Sequence, residues 1–161
     1  MEWILRQRYI LYKYKISYIY KNHIMNRKDF LNLDEGKMKF KITRAKENNF
    51  ESGLRGFFAY KNLGIEDATA GNFGANIIKA IEGKHANGEW HYHKLNFQMV
   101  YILKGSVEFE YKGEGTFTLN EGDVVYQPPE IHHREIKHSD DLELIEITSP
   151  AEFETVPLKN L

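Results

Sequence analysis

The stretch WHYHKLNFQMVYILKGSVEFEY, Trp90 to Tyr111, decides the fold. Its last six residues place Val107, Phe109 and Tyr111 on one side of an extended chain and Ser106, Glu108 and Glu110 on the other, the pattern of a half-buried strand. Before Gly105, Gln98, Val100 and Ile102 share one side and Met99, Tyr101 and Leu103 the other, which predicts a strand buried on both faces around one polar residue. Upstream, His91 and His93 are two residues apart, so on an extended chain both imidazoles project to the same side, with Cα atoms about 6.6 Å apart. Both can reach one ion. Gln98 lies an odd number of residues beyond His93, so it shares their side only if Lys94–Asn96 interrupts the strand with a turn or bulge.

Working outward, short apolar runs recur at roughly the 8 to 12 residue spacing of an all-β sandwich or barrel, with turn residues between them. MKFKITR (Met38–Arg44), GFFAYK (Gly56–Lys61) and ANIIKAI (Ala75–Ile81) read as the first strands. After SVEFEY, KGEG makes a hairpin into TFTL, NEGD turns into VVY, QPPE turns into IHHREIK, and DLELIEI forms a late strand. Helix has room only for a turn near Arg27–Leu33 and a short terminal piece. No helix-turn-helix pattern is present, which argues against a transcription regulator.

Composition narrows the function classes. The 161 residues suit one domain with a real core. With 22 basic residues against 23 acidic ones, the chain lacks the positive footprint of a nucleic-acid binder. The absence of cysteine excludes disulfides, thiolate zinc sites and cysteine nucleophiles, so any metal must be held by nitrogen and oxygen. Residues 1–24 differ from the rest: they hold five of the ten tyrosines, five Lys or Arg and one acid. They have no apolar h-region, and Lys13, Lys15 and Lys21 interrupt them too often for a membrane span. They read as an extension, with alternation suited to an added edge strand or an extended tail, or as an upstream start with translation beginning at Met25; residues 25–161 form the single domain. A cytoplasmic location without membrane insertion is the expectation.

The second chemical cluster is GDVVYQPPEIHHREI. Pro128 and Pro129 stiffen a turn, and His132 and His133 must then point to opposite faces of the next strand. Parity leaves the choice open, since Ile131 sits with His133 and Ile136 with His132.

The span from Gly88 to Ile136 resembles the two cupin motifs. His91, Tyr92 and His93 match the first motif's histidine pair, Gln98 stands where the family carries glutamate, and Gly105 follows at the expected gap; Gly122, Pro128 and His133 match the second motif. Departures fall at the first glycine, displaced to Gly83 or Gly88, at Glu130 in place of a glycine, at Lys137 in place of an asparagine, and at Gln98. The resemblance implies a double-stranded β-helix, the jelly-roll cupin barrel, with little helix. It also implies a metal held by His91, His93, His133 and Gln98.

Three neutral imidazoles suit a divalent transition metal, with Fe(II) favoured and Zn, Mn, Ni or Cu as the other options, and a glutamine amide oxygen is a weak, uncharged fourth donor. Relative to glutamate the site would be one unit more positive, worth about 4 kcal/mol at about 4 Å and an effective dielectric of 20, which favours an anionic ligand. Cupins of this kind include dioxygenases, so the first reading is an Fe(II)-type dioxygenase, or a related lyase or isomerase, acting on a small organic acid. The alternatives are a non-catalytic metabolite- or metal-binding module and a three-histidine zinc hydratase or hydrolase. Candidate catalytic groups are Tyr126, Gln127 and Tyr101, with Glu130, His132 and Glu135 also in range; of Tyr126 and Gln127 one must face inward. His23, His85 and His138 read as solvated, and Trp90, Phe97, Phe109 and Phe117 as core. The expected partners are a small anionic molecule and a second copy of the chain, with neither nucleic acid nor membrane.

Overall fold

The computed structural model describes residues 37–53 and 55–158. Alternation of side chains along extended segments governs what forms. Ser106–Tyr111 buries every second residue, and Phe97–Lys104 buries Gln98, Val100 and Ile102. Eleven strands result among the described residues: β1 (Glu51–Ser52), β2 (Phe58–Asn62), β3 (Gly74–Ala80), β4 (His91–Lys94), β5 (Phe97–Lys104), β6 (Ser106–Tyr111), β7 (Gly115–Asn120), β8 (Val124–Gln127), β9 (His133–His138), β10 (Glu143–Ser149) and β11 (Glu154–Pro157). One helical turn, α1 (Ile65–Ala68), joins β2 to β3.

The strands form two antiparallel sheets, one in the order β1-β2-β3-β10-β5-β8 and the other β11-β4-β9-β6-β7. Their inner faces share a core in which Ile102, Leu142 and Val107 are fully buried. Each such aliphatic side chain removed from water contributes about 1.5–3 kcal/mol, which makes this layer the main stabilising element. The architecture is the expected all-β jelly roll with little helix. The chain leaves the second sheet after β4 and enters the first at β5; Leu95 is buried at this crossing and the Asn96 amide donates to the Ser149 carbonyl at 2.7 Å. That interruption resets the parity, so Gln98 faces the same interior as the histidines.

Gly105 carries the chain from β5 into β6 with φ +72°, in the left-handed region. A Cβ there would collide with the Ser139 hydroxyl and the Asp141 carboxylate, so both the conformation and the space select glycine.

Several expectations are corrected. Residues 38–44 form no strand; Phe40 and Ile42 are 90% and 51% exposed, because no neighbouring strand offers them an apolar face. The terminal piece is strand β11, hydrogen-bonded to β4, rather than helix. The outer side of β5 is not buried: Phe97, Tyr101 and Leu103 are exposed there beside Val124 and Tyr126 of β8, its partner in the sheet, and Phe117 of β7 is exposed as well. The extension over 1–24 and the turn expected near 27–33 lie outside the described residues. No helix among the described residues is long and apolar enough to cross a membrane.

Candidate metal centre

The site grows from one cross-strand pair. His91 opens β4, His133 opens β9, and the two are direct partners in the β4–β9 pairing. His93 follows on the same face of β4, so the three rings gather with centroids 4.3 to 5.1 Å apart. Their ligand nitrogens lie within 4.8 Å of one another. The parity question is thereby answered: His133 is 3% exposed and faces inward, whereas His132 stacks on Tyr92, with rings 5.3 Å apart.

Hydrogen bonds set the tautomers. The Nδ1–H of His91 donates to the Glu89 carbonyl, and that of His133 donates to the Ile131 carbonyl, each at 2.9 Å and each two residues upstream. His93 Nδ1 meets the Thr155 hydroxyl of β11 at 2.9 Å. With Nδ1 engaged, Nε2 of each ring turns its lone pair to the interior, the second-layer arrangement typical of metal-binding imidazoles, and on His91 that lone pair accepts from Arg55 Nη2 at 2.5 Å. Burial pushes His91 down to about 3, helped by the Arg55 guanidinium and by His133. Burial likewise pushes His93 down to about 3, with His133 and His91 adding to it, and His133 down to about 4 against the pull of the Ile131 carbonyl. All three are neutral near pH 7, the form a divalent ion requires.

These rings line a cavity of about 320 Å³ whose apolar walls include Phe58, Ile78, Val100, Phe109 and Leu144. Gln98 lines it too, 3% exposed, and its amide nitrogen donates to Glu146 Oε1 at 2.8 Å. A carboxylate accepts, so the nitrogen end of Gln98 is turned to Glu146 and the oxygen end is left for the cavity. This tempers the charge expectation: the negative unit missing at position 98 stands one hydrogen bond further out. Burial raises the Glu146 carboxyl above its ordinary range, while Gln98 and Arg55 oppose the rise.

Of the expected catalytic groups, Gln127 and Glu135 enter the cavity. Gln127 is 2% exposed, pairs with Gln98 across β5–β8, and donates its amide to the Tyr111 hydroxyl at 2.8 Å. Burial pushes that phenol up to about 12, so it stays protonated. Tyr101 and Tyr126 are corrected. At 39% and 54% exposure they occupy the outer side of their strands, because alternation that turns Val100 and Gln127 inward turns their neighbours outward. Glu130 is exposed and His132 sits outside, so neither lines the cavity.

Glu135 does line it, 3% exposed, with Oε1 2.5 Å from His138 Nδ1. The other nitrogen of His138 lies 3.1 Å from the Lys84 carbonyl. Both partners are acceptors, an arrangement that favours the imidazolium, and the bond to Glu135 raises the pKa of His138. The solvated reading of His138 is thus overturned: its side chain is fully buried beside Phe57 and Phe58.

Sequence reasoning missed Arg55, Glu146 and Thr155. Glu146 had a legible signal, since it shares parity with Leu144 and Thr148 in β10, both buried. Arg55 and Thr155 had none, because Thr155 reaches His93 by strand pairing and Arg55 reaches His91 by a side-chain contact from the bend before β2, neither of which a local pattern encodes.

The comparisons bear on the fold that carries this site. Residues 79–148 match the family model described as the cupin domain. Among solved structures, KdgF from Halomonas sp. superposes with TM-score 0.57 at 21% identity, covering 70% of this chain and 96% of that one. The polyketide cyclase RemF from Streptomyces resistomycificus gives TM-score 0.61 at 14% identity, covering 74% and 86%. Streptomyces PAC13 bound to uridine gives 0.57 at 13%, covering 76% and 92%. No curated protein matches. At these identities the likeness is one of fold, and together with the family match over the histidine-bearing strands it leads to one assignment: this chain carries a cupin-superfamily domain with a three-histidine group in its barrel.

Proposed function

We propose that the protein is a metalloenzyme acting on a small organic acid, with His91, His93 and His133 as imidazole ligands to a divalent transition ion and the Gln98 amide oxygen as a weak fourth donor. The observation that carries this reading is the set of three neutral imidazoles, each with Nδ1 engaged by a protein partner and Nε2 turned to a common interior point, where on His91 it accepts from Arg55 Nη2 at 2.5 Å. The donor set fits Fe(II), Zn, Mn, Ni or Cu, and the ion would supply Lewis-acid polarisation of a bound ligand's oxygen.

The protein's own residues supply the rest. Phe58, Ile78, Val100 and Leu144 exclude water, which strengthens every charge interaction inside. Glu146, a wall carboxyl whose pKa is raised by burial, is suited to accept a proton from a bound acid and return it at a neighbouring atom. That pairing of polarising ion and wall carboxylate favours lyase or isomerase chemistry. Non-oxidative names among the fold neighbours, a cyclase and a nucleoside dehydratase, lie in the same direction. An Fe(II) dioxygenase is the second reading, supported by a donor set that leaves more than one coordination position open.

The test is metal analysis of protein purified without added metal, followed by assay of a panel of hydroxy and oxo acids with and without O₂. One equivalent of metal lost in His133→Ala, with O₂-independent turnover, supports the first reading; O₂ consumption supports the second. Equal metal content in wild type and His133→Ala defeats both.

A further inference from the structure

We propose that Arg55 is the carboxylate-recognition residue of this cavity, selecting small acids that carry a second oxygen beside the carboxylate. The inference rests on the metal-centre reading above and adds a residue that no cupin motif contains.

Arg55 precedes β2 and lines the cavity. Its Nη2 donates to His91 Nε2 at 2.5 Å, the nitrogen that faces the interior. An ion on that nitrogen would take the lone pair that Arg55 now uses, so the guanidinium would turn aside yet stay beside the centre, where one bound molecule can touch both. Among the described residues, no carboxylate lies within ion-pair distance of Arg55; its contacts are the neutral His91 and the Phe57 ring at 6.0 Å. The carboxylates in the wall are otherwise engaged, Glu135 by His138 and Glu146 by Gln98. The half-buried guanidinium spends one donor on a neutral acceptor, with the Glu146 carboxyl acting on it only through space, and a planar carboxylate meets its remaining fork with two parallel bonds.

The selection rule follows from the juxtaposition. The carboxylate goes to Arg55 and an adjacent hydroxyl or keto oxygen goes to the side of the imidazoles, which describes a 2-hydroxy or 2-oxo acid. A neutral amide of the same shape leaves the guanidinium without its charged partner and binds more weakly.

The experiment titrates the zinc-loaded full chain with lactate and lactamide, by calorimetry or ligand-observed NMR, in wild type, Arg55→Gln and Arg55→Lys. Zinc affinity is measured in parallel. Wild type should prefer lactate by about 10-fold or more, Arg55→Gln should erase that preference, and Arg55→Lys should restore part of it through charge without the fork. Zinc affinity in Arg55→Gln should stay the same or rise, since a positive charge has been removed beside the ligands; this readout separates recognition from a folding defect. Unchanged lactate preference in Arg55→Gln, or no preference in wild type, overturns the proposal for Arg55 while His133-dependent zinc binding still stands. Zinc binding that ignores His133 overturns the metal-centre reading itself.

Discussion

His91 and His133 are direct register partners across the β4–β9 pairing, and each turns Nδ1 to the carbonyl two residues before it. The same local device at the start of two strands from distant parts of the chain points two lone pairs into one space. Antiparallel pairing brings the strands together, and the upstream carbonyls set the tautomers. The third ring, His93, depends on β11 for its orienting partner.

That dependence gives a first prediction. Thr155→Val keeps shape and removes the hydroxyl on His93 Nδ1, so zinc affinity should fall by about 10-fold or more, the usual cost of losing an orienting partner. Competition titration against a chromophoric chelator measures it. His132→Ala, which alters a ring stacked on Tyr92 outside the cavity, should leave the affinity unchanged.

Gln98→Glu places a carboxylate against Glu146, whose oxygen now accepts from the Gln98 amide at 2.8 Å. Two carboxylates at that separation cannot both ionise cheaply. Metal-free Gln98→Glu should lose about 2–4 kcal/mol at pH 7 by urea unfolding and regain much of it near pH 5, where one proton is shared. Adding Glu146→Gln should restore stability at pH 7. An additive double variant would show that the two side chains do not interact.

Acid should destabilise the metal-free protein. His91, His93 and His133 bind protons more readily unfolded, near 6.5, than folded, where burial holds them near 3, 3 and 4. The unfolded state therefore takes up more protons as pH falls below about 6.5, and stability drops by up to about 1.4 kcal/mol per pH unit for each proton of difference, until the folded rings titrate. His138 runs the opposite way: its raised pKa contributes stability that is full below about 6.5 and lost as pH climbs through the folded value. Urea unfolding across pH 4 to 9 should show a steep acid limb, flattened in His133→Asn, and a shallow alkaline decline, absent in His138→Gln.

Glu130 stands at φ +60°, where the related motif carries glycine. Its side chain is exposed, so nothing is lost by removing it. Glu130→Gly should raise stability by about 1 kcal/mol by relieving the left-handed conformation. Gly105→Ala should do the reverse and lower the melting temperature by several degrees, because the added Cβ meets Ser139 and Asp141. Thermal melts of the two single variants decide.

Alternation made most of this fold legible. Val107, Phe109 and Tyr111 are buried as their spacing requires, and Gln98 shares the histidines' interior because Leu95 and Asn96 interrupt the strand as parity demands. The rule failed where extended chain found no neighbour, at 38–44, and where a sheet face stayed open, so that Tyr101 and Tyr126 point away from the cavity. The ring of nitrogens was legible from motif spacing. The residues around it were less so: Thr155 reaches the site through a strand pairing and Arg55 through a long-range side-chain contact, neither encoded by a local pattern, and His138 looked solvated in a polar run yet closes over Glu135.

The crossing at Leu95 and Asn96 has a mechanical consequence. It leaves His91 and His93 in one sheet and Gln98 in the other. An ion gripped from both sides of that step would act as a rivet through the sandwich, opposing any shear of one layer over its neighbour. Occupancy would then be felt as stiffness well beyond the pocket, and amide exchange should slow in β4 and β5 together when zinc is added.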